Sequence, residues 1–182
     1  MNAEKKPSAR IAPNLQFLFS HPAHFISLGF GGGLSPVMPG TAGTLVGWLV
    51  FHVLTTAWPA CFTQLTWGVI VIFGFVLGIW TCTKTENALN SPDDGSIVWD
   101  EIIGIWLVLL ALMPTTLQTE CWAFVLFRIF DMTKPPPIRR IDSHLKGGLG
   151  VMLDDILAAV YALIAYAMIA YVPPYFGITF SI

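Results

Sequence analysis

The chain has 182 residues, of which 55% are hydrophobic and 11% are Asp, Glu, Lys or Arg, with a formal net charge of −2. An average soluble domain carries roughly 25% charged residues, so water is excluded as the main solvent, and the near-neutral balance leaves no basic face for nucleic acid. No Asp, Glu, Lys or Arg falls between Ile11 and Thr83 or after Asp155, so charge is confined to short islands in an apolar chain.

Residues 1–28 are expected to form a cytoplasmic or interfacial arm, with His21 and His24 at the interface, and residues 29–182 a single membrane-embedded domain. The arm does not read as a cleavable signal peptide, because Pro- and His-containing sequence and then a Gly-rich loop follow its basic residues. Residues 29–44, GFGGGLSPVMPGTAGT, combine six glycines with Pro36 and Pro39 in a stretch that cannot make a regular helix. Two readings of this loop stand side by side: an anion cradle at a helix start, or a tight turn with Thr41 or Thr44 capping the helix.

The first apolar span is Leu45 to Trp58, with His52 as a packing residue inside it. Leu65 to Cys82 is the second, with Trp67 and Trp80 as interfacial anchors. The island from Lys84 to Glu101 follows, in which Asp93 and Asp94 before Gly95 read as a solvated turn. Asp100 and Glu101 stand where a third span, Ile102 to Met113, enters lipid, a costly place for a carboxylate. Lying ~100° apart on a helix, they cannot share one face, so one is expected to bind while the other braces or faces solvent. Leu117 to Phe130 is a fourth candidate span, weakened by Glu120 and Arg128. The island FRIFDMTKPPPIRRID, residues 127–142, supplies Arg128, Lys134, Arg139 and Arg140 as donors suited to phosphate, on a proline-stiffened backbone. His144 is a candidate proton donor to a leaving group. GGLGVMLDD, residues 147–155, then places Asp154 and Asp155 at the start of the fifth span, Ile156 to Val172, which Pro173 and Pro174 are expected to stop. Cys61, Cys82 and Cys121 are too few and scattered for a disulfide framework or a metal knuckle.

The predicted fold is therefore all-α: a polytopic helical membrane protein with about four to five membrane-embedded helices. Threading five spans in order sorts all nine Lys and Arg to one side, the retained, cytoplasmic one, where the polar loops gather. Asp100, Glu101, Asp131, Asp154 and Asp155 all fall at that face. Five carboxylates at one level would repel unless a cation sat among them, and oxygen-only donors suit magnesium or manganese.

The order of these islands is similar to that of a known family. GFGxGLSPxxPGTxGT, IVWDEIIG, FRIFDxxKPxPIRxxD and GGxGVMxDD, spanning Gly29 to Asp155, resemble phosphatidylglycerophosphatase A, a bacterial inner-membrane lipid phosphatase dependent on Mg²⁺. The chain departs from the family pattern at Gly32, where a Ser or Thr often stands and no hydroxyl ligand is now possible, and at Ala159, where a Gly often stands and a close helix contact would loosen. The resemblance implies hydrolysis of phosphatidylglycerophosphate to phosphatidylglycerol and phosphate, on a substrate that never leaves the bilayer. It implies that Asp100, Glu101, Asp131, Asp154 and Asp155 hold the metal, with Asp131, Lys134 and Asp154 in the catalytic step. Lys134 and Arg139 would clamp the phosphate, and the turn at Gly40 and Thr41 would complete the cradle. No protein partner is predictable. The non-enzyme alternative is an ion-coupled transporter using the intramembrane acids, against which stand the absence of a repeat and the clustering of acids at one interface. A CDP-alcohol phosphotransferase lacks its D-G-x-x-A-R stretch here, and a structural anchor recruiting partners through the Pro-rich loop leaves the acids unexplained.

Overall fold

In lipid every backbone N–H and C=O must find its partner within the segment, so long apolar runs broken by Pro, Gly and Asn fold as helices. The computed structural model describes residues 9–136 and 147–175, and every regular element among them is helical. In chain order these are α1 (Leu15–Ser20), α2 (Pro22–Ser27), a 3-10 segment (Gly29–Leu34), α3 (Pro39–Ala57), α4 (Gln64–Leu89), α5 (Trp99–Ala111), α6 (Leu117–Thr133) and α7 (Gly148–Tyr175). Arg139, with Arg140, Asp142, His144 and Lys146, lies outside the described residues.

Among the described residues three helices are long and apolar enough to cross a membrane: α3, α4 and the Gly148–Ala170 part of α7. The third predicted span, α5, has 13 residues, about 20 Å of helix against a hydrocarbon core of about 30 Å. It is instead the hub of the bundle. Ile102, Ile103, Ile105, Val108 and Leu109 are all fully buried, and α3, α4, α6 and α7 each pack on it. A helix apolar on every side belongs in such a position.

Several boundaries differ from the apolar runs, because helices continue past the apolar residues into polar end turns that face other elements. The first span starts at Pro39 rather than Leu45, since proline at the first helical position has its φ preset and no N–H to lose. The second continues to Leu89, carrying Lys84 and Glu86, and ends at Asn90 in the left-handed region at φ 53°. The fifth begins at Gly148, so Asp154 and Asp155 lie in its second turn, and Pro173 and Pro174 fall inside the helix rather than beyond it.

Small residues let the helices approach closely, as expected where lipid removes the hydrophobic drive between them. A Cβ on Gly47 would come within 2.9 Å of Ile105, one on Gly78 within 2.5 Å of Met152, and one on Gly104 within 2.5 Å of Phe127. The α5 tryptophans use the same gaps: Trp106 Nε1 donates to Gly47 O at 2.7 Å and Trp99 Nε1 to Gly74 O at 2.9 Å. Ala159 is fully buried in this core. Leu49, Val53, Ile72, Phe73, Val76, Ile164 and Met168 point outward, an apolar belt suited to lipid.

The turn at Asp93 and Asp94 is only half as expected. Asp94 is buried, because Arg10 from the N-terminal arm folds over it, with Nε 2.6 Å from Oδ2 and Nη2 3.0 Å from Oδ1. Ser96 adds its backbone N–H at 3.1 Å and its hydroxyl at 2.6 Å to Oδ1. Burial by itself would raise the Asp94 carboxyl; these donors outweigh it and hold the group well below the usual carboxylate range.

Candidate active site

The N-terminal turns of α3, α5 and α7 meet the C-terminal turns of α4 and α6 at one end of the bundle. The α3 turn begins after Met38, held at φ 49°, with Pro39 first and no side chain capping the free N–H groups. Thr44 does not cap; its hydroxyl bonds back to Gly40 O at 2.9 Å. The Thr41 hydroxyl is buried without a partner. Gly40 is required by contact: a Cβ there would lie 2.3 Å from Glu101 Oε1 and 3.3 Å from Arg128 Nη2. Its absence lets a carboxylate and a guanidinium rest against the helix backbone.

Asp100 and Glu101 occupy the first turn of α5, and Asp155 reaches them from α7. One oxygen from each of the three lies within 4.8 Å of the others. The expectation that the two neighbouring acids on α5 cannot serve one site is overturned here. Their Cα positions differ by about 100° around the helix, but the longer glutamate side chain reaches back to the same point. Buried oxygens are left without partners on all three: Asp100 Oδ1, Glu101 Oε2 and Asp155 Oδ2. Unpartnered buried carboxylate oxygens are costly, and three such acids gathered this closely fit a hard divalent cation that accepts oxygen donors.

Asp131 and Asp154 stand beside this group rather than in it. Asp131, in the last turn of α6, pairs with Arg128 Nη1 at 2.5 Å and is an electrostatic neighbour of Glu101 and Asp155. Lys134 ends α6 in the left-handed region at φ 39°, its N–H on Phe130 O at 3.0 Å. That twist directs its ammonium to Asp154 Oδ2, while Asp154 Oδ1 accepts from the Asp155 N–H at 3.1 Å. Among the described residues each outer acid is thus paired with a cation.

Arg128 is the residue whose importance the sequence understates. Read as one donor among four and as a flaw in the fourth span, it is in fact buried at the centre, with Nη1 3.2 Å from Thr44 Oγ1 and 4.0 Å from Glu101 Oε1. Its Nε has no partner. The available signal was its depth: an arginine two turns inside an apolar helix has to be held by something. The described histidines are elsewhere. His52 Nδ1 pairs with Glu120 Oε2 at 2.7 Å, and Thr115 donates to Glu120 Oε1 at 2.8 Å; His24 bonds Thr85 at 2.9 Å.

A family model described as phosphatidylglycerophosphatase A matches residues 25–170. The chain is 45% identical over 141 residues to phosphatidylglycerophosphatase A of Escherichia coli strain K12, covering 78% of this chain and 79% of that one. It is 41% identical over 155 residues to the Haemophilus influenzae protein of the same name, covering 83% and 90%. It is also 41% identical over 156 residues, 81% and 92% of the two chains, to a Bacteroides thetaiotaomicron protein named as a candidate phosphatidylinositol-3-phosphatase. No solved structure gives a significant match.

Proposed function

The chain belongs to the phosphatidylglycerophosphatase A family and hydrolyses phosphatidylglycerophosphate, a membrane phospholipid, and from that premise we propose how its residues carry out the reaction. The observation that carries the proposal is the set of three buried carboxylates with unpartnered oxygens, set against the Gly40 turn and Arg128.

Asp100, Glu101 and Asp155 would hold a divalent cation, Mg²⁺ by its preference for oxygen donors, which when bound supplies charge against the phosphate oxygens and favours ionisation of water. The free N–H groups at the start of α3 and the Thr41 hydroxyl receive the phosphate. Arg128 and Lys134 offset the charge that grows on its oxygens in the transition state, from fixed positions and without reorganisation. Arg139, on the same proline-stiffened segment as Lys134, extends the clamp. Hydrolysis forms a bond from water oxygen to phosphorus and breaks the bond from phosphorus to the glycerol oxygen, which leaves with the electron pair. Asp131 takes the water proton; Asp154 positions Lys134.

The site end of the bundle faces the cytoplasm of a bacterial inner membrane, because the basic residues gather there. On this reading α5 and α6 are embedded along with the three spanning helices, the 1–28 arm lies at the interface, and the C-terminus lies on the opposite side. A reporter fused after Ile182 would then read as periplasmic.

The test is phosphate release from phosphatidylglycerophosphate by purified protein in mixed micelles, with Mg²⁺ titrated and Asp100→Asn and Asp155→Asn alongside. Activity that persists through chelation and both substitutions sinks the metal-site reading. Phosphatidylinositol 3-phosphate in a parallel assay measures the headgroup preference.

A further inference from the structure

Two polar clasps join α3 to α6. At the site end Arg128 Nη1 donates to Thr44 Oγ1 at 3.2 Å, and further along His52 Nδ1 meets Glu120 Oε2 at 2.7 Å. From Thr44 to His52 and from Glu120 to Arg128 is eight residues in each helix, a window about 12 Å long. Between the clasps the helices do not close on each other. They leave an apolar hollow of about 200 Å³ lined by Leu45, Trp48, Cys121, Phe124 and Val125. An apolar hollow open to the bilayer is filled by an apolar occupant, since only such a group replaces the dispersion contacts its walls would otherwise lack.

Which occupant follows from where the hollow leads. Leu45 is the residue after Thr44, and Phe124 and Val125 lie one turn before Arg128, so its lower end abuts the residues assigned to the phosphate. Leu45 and Val125 are 46% and 48% exposed, so its side opens on the belt of outward apolar residues. We propose that the α3–α6 groove holds one acyl chain of the phospholipid substrate, entering sideways from the bilayer and setting the glycerol phosphate beside Arg128 and the α3 N-terminus. The assignment rests on the lipid phosphatase reading above. It makes Leu45, Trp48, Phe124 and Val125 the residues that read chain length, and it gives the enzyme binding energy remote from the phosphate with which to orient it.

Cys121 allows the groove to be filled after folding. In a Cys61→Ser protein it is the exposed thiol, Cys82 being buried. Reaction with hexyl methanethiosulfonate would attach a six-carbon chain there. The expected result is a fall of about tenfold or more in kcat/KM for dioleoyl phosphatidylglycerophosphate, as loss of a few buried methylenes predicts. Turnover of the dihexanoyl substrate should stay within about twofold, and a thiol reductant should restore the long-chain activity. No change, or an equal loss on both substrates as displacement of a partner helix or second copy would give, overturns the assignment. Inactivity of the unmodified protein on both lipids is a different result: it removes the phosphatase reading itself.

Discussion

Gly40 shows how a single absent atom sets the geometry of the site. Gly40→Ala would push a methyl group into Glu101 Oε1, 2.3 Å from the ideal Cβ position, so the carboxylate and the Arg128 guanidinium beside it must both shift. Stability is expected to fall by roughly 1–3 kcal/mol and kcat by on the order of 100-fold through misplacement of Glu101, read by thermal unfolding in detergent and by phosphate release. Arg128 makes the complementary case. Its Nη1 meets Asp131 and Thr44 and lies 4.0 Å from Glu101 Oε1, a point that the shorter, more strongly hydrated lysine ammonium does not reach in the same geometry. Arg128→Lys is expected to lower kcat by roughly 10–100-fold, with a smaller loss of stability than Arg128→Ala, which strands Asp131 as a buried charge. Equal effects of Lys and Ala would mean that only packing is at stake.

Among the elements, α5 decides the architecture. The apolar run from Ile102 reads as a membrane span from its composition, and its composition is equally that of a helix buried on all sides; its length separates the two. Its hold on α3 is tested by Trp106→Phe, which keeps the ring and removes the bond to Gly47 O. Loss of this second hydrogen bond to a helical carbonyl is expected to cost about 1 kcal/mol, seen as a lower melting temperature with KM unchanged, since the bond lies away from the phosphate. The loop before α5 offers a pH-dependent counterpart. The Asp94 carboxyl is held below its ordinary range by Arg10 and Ser96, so its contribution to stability is complete above the unfolded pKa near ~3.9 and is lost as pH falls below that toward the folded value. The difference in stability between the wild type and Asp94→Asn is therefore expected to be constant from neutral pH to about pH 5 and to shrink as the pH drops toward 3. A gap that widened on acidification would contradict the pairing.

At the scale of the whole molecule, one end of a helical bundle concentrates charge that the rest excludes. Five acids there, Asp100, Glu101, Asp131, Asp154 and Asp155, face two cations among the described residues, Arg128 and Lys134. A divalent cation binding the folded state alone should stabilise it, by about 2.7 kcal/mol at 100 times its Kd. Mg²⁺ is thus expected to raise the melting temperature of the detergent-solubilised protein, and Asp155→Asn to abolish the rise; an unchanged wild-type melt would argue against a cation among the three carboxylates. The sequence by itself determined that the chain is helical and lives in a membrane, because hydrophobicity and the sorting of charge are properties of composition and order. It also placed Asp100, Glu101, Asp131, Lys134, Asp154, Gly40 and Asp155 at helix ends, since apolar runs mark where helices enter lipid. Only the tertiary structure decided which acids share a point, that Arg128 joins α3, α5 and α6, that α5 is a hub, and that α3 and α6 part to leave a groove. Those are relations between side chains up to 84 residues apart, set by how far each reaches and by which glycines let backbones touch, and no local pattern along the chain contains them.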